Sequence, residues 1–158
     1  MKLMDLMALD LGYLGQFVGG RFNELVLAKA REDGYADLRH AHGYVFQHLI
    51  AGPKTVTALA RLLGVSQQAA SKSVAELVEL GYLEASAGDD RRAKQIALSR
   101  RGHAAIAHVR KTRATLEARL VKRHGAAEVA RVKSLLARVL EELGGATAVR
   151  ERAIREPK

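Results

Sequence analysis

The chain has 158 residues, with 26 Lys and Arg against 17 Asp and Glu for a net charge of +9, and it contains no Cys and no Trp. Without Cys, disulfides, thiolate metal sites and cysteine-based redox sensing are excluded, while the basic surplus favours a polyanionic partner, nucleic acid before membrane. Hydrophobic residues reach 48% but aromatic ones only 4%, so Ala, Leu and Val carry the apolar content and a mainly helical single domain is expected over residues 1–158.

Residues 3–31 read as one long helix, with Leu3, Leu6, Met7, Leu14, Phe17, Val18, Leu25 and Val26 at helical spacing. Asp5 and Asp10 interrupt its apolar start, and no run approaches the ~18 apolar residues of a spanning helix, so a cytoplasmic protein without a membrane partner is expected. Gly34 is the stop signal. Asp37 reads as the cap of a second helix through Ile50, which Gly52-Pro53 ends. Thr55 caps a short third helix that places Val56, Leu59, Ala60, Leu62 and Leu63 on its inner side, and Gly64-Val65 breaks it. Ser66 caps a fourth helix to about Leu80, closed by Gly81.

The period then changes. Residues 82–86 and 94–99 read as two short strands around the turn sequence Ala87-Gly88-Asp89-Asp90-Arg91-Arg92-Ala93, the one β signal in the chain. Ser99 or Arg100 opens a fifth helix to His124. A sixth, from Glu128 to Leu143, carries Val129, Val132, Leu135, Leu136, Val139, Leu140 and Leu143 on one stripe. Residues 146–158 form a charged tail. The fold class is therefore mainly α with a small β-hairpin wing and about six helices: residues 38–99 hold two short helices and the hairpin of a winged helix-turn-helix, flanked by long helices over 1–34 and 100–145.

Two short helices joined by a tight Gly-containing turn form a helix-turn-helix. On its second helix Ala70, Val74, Leu77 and Val78 should face inward, while Gln68, Lys72 and Ala75 point outward with Gln67 and Ser71 at the edge. No acid occurs between Arg61 and Ala75; Glu76 and Glu79 come only later. Gln pairs with adenine edges, Lys reaches guanine or phosphate, small Ser and Ala allow close approach, and the helix N-terminus attracts phosphate. In the hairpin, Arg91, Arg92 and Lys94 crowd a short turn, where mutual repulsion brings no folding benefit but a minor groove would accept the charge. Asp89, two residues before Arg91, can hold that guanidinium in one rotamer, and Asp89-Asp90 also forms turns. The expected DNA-contacting set is Thr55, Ser66, Gln67, Gln68, Ser71, Lys72, Asp89, Arg91, Arg92 and Lys94.

The run from Leu59 to Lys72, with Gly81-Tyr82-Leu83, Asp89-Asp90-Arg91-Arg92-Ala93-Lys94, Leu98-Ser99 and Gly102, resembles the MarR (multiple antibiotic resistance regulator) family of bacterial winged-helix repressors. Asp89, Arg91, Leu98 and Ser99 match the family's wing pattern, and the element order matches over essentially the whole chain. The resemblance implies a homodimer joined by first and last helices, with the helix-turn-helix in the major groove of operator DNA and the wing in the minor groove. It also implies release by a small phenolic or aromatic effector bound between the dimerisation and DNA-binding regions. The absence of Cys and Trp speaks against the family's cysteine-based peroxide sensing and against a urate-type pocket built on Trp. A constitutive or architectural DNA-binding protein without an effector is the alternative.

For an effector, the second helix supplies polar tips in an apolar segment: His40, His42, Tyr44 and His48 among Ala41, Val45, Phe46 and Leu49, with Tyr13 and Phe17 on the facing first helix. The residues taken as ligand-lining are Tyr13, Phe17, His40, Tyr44 and His48; the other reading is a hydrogen-bonded dimer-core junction. No metal or other cofactor is expected. His40 and His42 do not share a helical face, and His103 and His108 diverge. No nucleophile or phosphate-loop motif supports an enzyme. The basic fifth helix (Arg110, Lys111, Arg113, Arg119, Lys122, Arg123) reads as a solvated stripe.

Overall fold

The computed structural model describes residues 4–87 and 94–155. Seven α-helices and a small antiparallel sheet are described: α1 Leu11–Glu32, α2 His42–Leu49, β1 Lys54–Thr55, α3 Val56–Leu63, α4 Gln67–Glu79, β2 Leu83–Ala87, β3 Lys94–Leu98, α5 Arg100–His124, α6 Ala126–Glu142 and α7 Ala146–Arg150. The sheet order is β1-β3-β2, with Leu83 opposite Leu98 and Ala87 opposite Lys94.

Local chemistry explains most boundaries. Ser66 Oγ accepts from Ala69 N at 3.1 Å and Thr55 Oγ1 from Ala58 N at 3.1 Å, each satisfying an N–H that a helix start leaves orphaned. Gly64, between α3 and α4, has φ +69°, a left-handed conformation that a side chain would strain. At the end of α1, Tyr35 N donates to Ala30 O and Gly34 N to Arg31 O, the paired bonds of a Schellman cap.

Three expectations are corrected. The first helix does not run from residue 3. Asp5 Oδ1 takes Met7 N at 3.0 Å and closes a 3-10 turn over Leu6–Ala8; Asp10 Oδ1 then takes Tyr13 N at 2.9 Å and starts α1 at Leu11. Asp37 does not cap α2, which begins at His42; its carboxylate is held instead by Tyr82 and Arg101. A third strand, β1, pairs Lys54 with Ile96 and Thr55 with Gln95; two residues are too short to show a period. The tail begins with a short helix, α7, and folds back, so that Gln47 Nε2 donates to Ile154 O at 2.6 Å and Arg155 Nε to Leu62 O at 3.2 Å.

The core lies in the winged-helix region and the helix ends that flank it. Leu49, Leu59, Leu77, Tyr82, Leu83 and Ile96 are at most 2% exposed. Ala30 from α1 and Ala105 from α5 belong to the same cluster and tie the long helices to it. The junction at α5 is tight. A Cβ on Gly102 would lie 2.2 Å from Tyr82 O, and Ser99 Oγ both accepts from Gly102 N and donates to Gly81 O. By contrast, α6 buries none of its residues, and Val132, Leu135, Leu136 and Leu140 stand exposed on it. Leu11, Tyr13, Phe17 and Val18 on α1 are at least half exposed.

Candidate nucleic-acid interface and the adjacent cleft

The helix-turn-helix presents α4 as its sequence pattern requires. Ala70, Val74 and Leu77 are buried against α3 and the sheet, while Gln67, Gln68, Ser71, Lys72 and Ala75 are exposed. Val78, expected inward, is 37% exposed, because it sits one position beyond the buried stripe. The first turn of α4 has no acidic residue. Its N–H groups and Lys72 therefore form a positive end beside two amides, an arrangement that accepts phosphate and base edges. Thr55 and Ser66 mark the starts of α3 and α4, where their hydroxyls serve as caps.

Lys94 is exposed at the start of β3. Asp89, Arg91 and Arg92 lie outside the described residues; the strands that flank them are in register as given above.

A cleft of about 280 Å³ opens between α1, α2 and α5, where a ligand site was expected. Its apolar lining includes Val26, Leu27, Leu38, Phe46, Ile106 and Val109, and its charged lining is Arg39, Arg110 and Arg113 without any acid. Of the five residues expected to line it, only His40 does. Tyr44 packs edge-on against His40 with ring centroids 5.4 Å apart. His48 is buried in the core, its Nε2 without a hydrogen-bond partner among the described residues. Burial, with the charges of Lys54 and Arg155, holds its pKa below the ordinary value. Tyr13 and Phe17 stack on each other at 6.4 Å and point outward, because the cleft meets α1 only from Asn23 onward, beyond both of them.

Arg39, Arg110 and Arg113 were missed. Arg110 and Arg113 share a helical face with Ile106 and Val109 and border the cleft, while the whole basic run on α5 stays solvent-exposed as expected. Arg39 Nη2 pairs with Glu76 on α4, and its Nε donates to His42 Nε2 at 3.1 Å. His42 is buried beside Phe46 and Tyr82, and burial followed by the Arg39 charge lowers its pKa, favouring the neutral ring that accepts this bond.

Where the α1–α2 connection, the start of β2 and α5 meet, Tyr82 is fully buried and its hydroxyl donates to Asp37 Oδ1 at 2.5 Å. Arg101 Nη2 reaches the same carboxylate at 3.0 and 3.1 Å, with its guanidinium 4.8 Å from the centre of the Tyr82 ring. Burial raises the cost of ionising Asp37, but the Tyr82 bond and the Arg101 charge outweigh it and hold the carboxyl below its usual range. Among the described residues there is no group of three His, Cys, Asp or Glu able to hold a metal ion, and no helix is long and apolar enough to cross a membrane.

Helix-turn-helix, three-stranded sheet and flanking long helices together define a winged helix-turn-helix protein. Residues 36–93 match the sequence profile of the MarR family. Solved structures share the fold: MepR of Staphylococcus aureus, a transcription regulator of a multidrug efflux pump, superposes with a TM-score of 0.67 at 19% identity, covering 85% of this chain and 99% of that one. The reduced form of MarR from E. coli gives 0.65 at 25% identity, covering 84% and 97%. The YusO protein of Bacillus subtilis gives 0.68 at 18% identity, covering 89% and 99%. A mutant of the staphylococcal MepR has been solved bound to an oligodeoxyribonucleotide. No curated protein sequence matches this chain. Over residues 36–93 the sequence is similar to the MarR family, and the chain has the winged-helix fold of the solved proteins compared with it.

Proposed function

We propose that this protein is a sequence-specific transcriptional regulator, acting as a repressor, that binds double-stranded operator DNA as a homodimer in the cytoplasm. The observation that carries the reading is the outer face of α4: Gln67, Gln68, Ser71 and Lys72 exposed together on a capped, acid-free helix start. Gln68 and Lys72 read base edges in the major groove, Gln67 and Ser71 flank them, and the starts of α3 and α4 at Thr55 and Ser66 meet phosphates. Arg91, positioned by Asp89, enters the minor groove, and Arg92 and Lys94 add backbone contacts. The oligodeoxyribonucleotide bound by the MepR mutant supports this assignment by analogy of fold.

The exposed apolar faces of α1 and α6 favour a second copy of the chain as partner, since a monomer would leave both to water. The cleft between α1, α2 and α5 favours a small aromatic effector that weakens DNA binding over an architectural protein without one. Titration of Gln68→Ala, Lys72→Ala and Arg91→Ala proteins against a selected duplex tests the interface. Gln68→Ala and Lys72→Ala should change which sequences are preferred, by about 1–3 kcal/mol for a good base contact. Arg91→Ala should weaken all sequences and flatten the salt dependence. Wild-type affinity in all three variants would defeat the assignment.

A further inference from the structure

After α6 the chain returns to the helix-turn-helix. Arg150 pairs with Glu141 and ties α7 to α6. Ala153 N then donates to Ala148 O and Arg152 N to Val149 O, a Schellman ending whose left-handed position is filled by Arg152 at φ +54°. Among the described residues Arg152 is the one non-glycine with positive φ, a conformation that costs free energy and persists where surrounding contacts fix it. Two such contacts follow at once: Gln47 Nε2 on α2 donates to Ile154 O at 2.6 Å, and Arg155 Nε donates to Leu62 O at 3.2 Å.

The second contact falls on the turn that aims α4. Gly64 N and Val65 N donate to Arg61 O and Ala60 O, which leaves Leu62 O without a partner inside α3. Arg155 fills that place and sets a cation at the negative end of the helix. Its guanidinium lies flat against Gly64, so close that a Cβ there would be 3.0 Å from Nη1. Gly64 stands three residues before Gln67, the first residue of α4.

We propose that residues 152–155 are a strap across the turn between α3 and α4, and that Arg155 is a positioning residue that fixes the recognition helix for DNA. The role rests on the DNA-binding reading above. Arg155 acts through Leu62 and Gly64 and does not itself touch DNA.

The test compares wild type with Arg155→Ala, Arg155→Lys and Gln47→Ala. Amide hydrogen exchange followed by NMR reads the turn without DNA, fluorescence anisotropy over a salt series reads DNA binding, and thermal melting establishes that each variant is folded. Arg155→Ala should speed exchange of the Gly64, Val65 and Ala69 amides by about twofold to fivefold, the range of one exposed charged contact, while the β2–β3 ladder keeps its wild-type protection. DNA affinity should fall by a similar factor at every salt concentration, with the slope against salt unchanged. A residue bound to phosphate would instead lower that slope by about 0.9. Arg155→Lys keeps the charge and an N–H donor and should recover both losses. Gln47→Ala, which frees the other anchor, should give the Arg155→Ala pattern more weakly. Wild-type exchange at the turn in Arg155→Ala, or no recovery in Arg155→Lys, overturns the strap. Faster exchange with unchanged DNA affinity, or a lowered salt slope, overturns the positioning role. Failure of wild type to bind any duplex defeats the DNA-binding reading and the positioning role with it, and the exchange rates then decide the strap alone.

Discussion

Removing the Tyr82 hydroxyl isolates one bond in the junction between the winged helix and the long helices. Tyr82→Phe keeps the ring, which is fully buried and packs 5.7 Å from Phe46, and deletes only the donor to Asp37. A hydrogen bond to a charged group contributes about 1.5–3 kcal/mol, and the partial exposure of the Asp37 carboxylate reduces this to about 1–2 kcal/mol at neutral pH. For a chain of this length that corresponds to a fall in Tm of roughly 2–8 °C. The effect must depend on pH in one direction. The folded pKa of Asp37 is depressed, so its contribution is present above the unfolded value of 3.8 and is lost as pH falls through the folded pKa. The Tyr82→Phe deficit should therefore be full at pH 7 and shrink in that acid window. The assay is urea unfolding at fixed protein concentration, since the stability of the proposed dimer would depend on it. A deficit that is absent at pH 7, or that does not shrink as pH falls through the acid limb below 3.8, would refute the assignment of Asp37 as the ionised acceptor.

Gly102→Ala should destabilise the fold by at least about 1–3 kcal/mol, because its Cβ would meet the Tyr82 carbonyl at 2.2 Å; urea unfolding reads this directly. Ser66→Ala should cost about 1 kcal/mol of stability through the lost cap and also weaken DNA binding, and Ser66→Asp should restore the stability alone, as melting and anisotropy together would reveal. Leu136→Asp, on the exposed face of α6, should shift sedimentation from dimer to monomer while leaving the buried winged-helix core intact by circular dichroism. DNA affinity should fall with salt at roughly 0.9 log unit per released counterion for each tenfold rise, and Arg91→Ala should lower that slope by about one counterion.

The elements that were legible in the sequence are those whose ends are chemically marked. Thr55, Ser66 and Ser99 each precede an apolar-periodic run, and Gly34, Gly64, Gly81 and Gly125 end one; all three hydroxyls cap and all four glycines have positive φ. The two short strands read over 82–86 and 94–99 likewise became β2 and β3, at 83–87 and 94–98. Asp37 misled because an Asp ahead of an apolar run has the composition of a cap, while its real partners, Tyr82 and Arg101, are 45 and 64 residues away. A cleft lies between α1, α2 and α5, and of the residues expected to line a ligand site only His40 borders it. Residue type points to Tyr, Phe and His as ligand groups, whereas the helix phase and axial position that put Arg39, Arg110 and Arg113 at the rim become visible only once α1, α2 and α5 are packed. The pairing of Arg39 with Glu76 across 37 residues is likewise a product of packing.

The central claim is that α4 and the wing read DNA as a two-fold pair. Selection of wild-type protein against random-sequence duplexes, followed by footprinting of the enriched sites, tests it most directly. The account predicts a near-palindrome whose half-sites lie about one helical turn, ~34 Å, apart, each protected across one major groove and a flanking minor groove. Enrichment of no sequence, or of a single half-site bound by one chain, would contradict it.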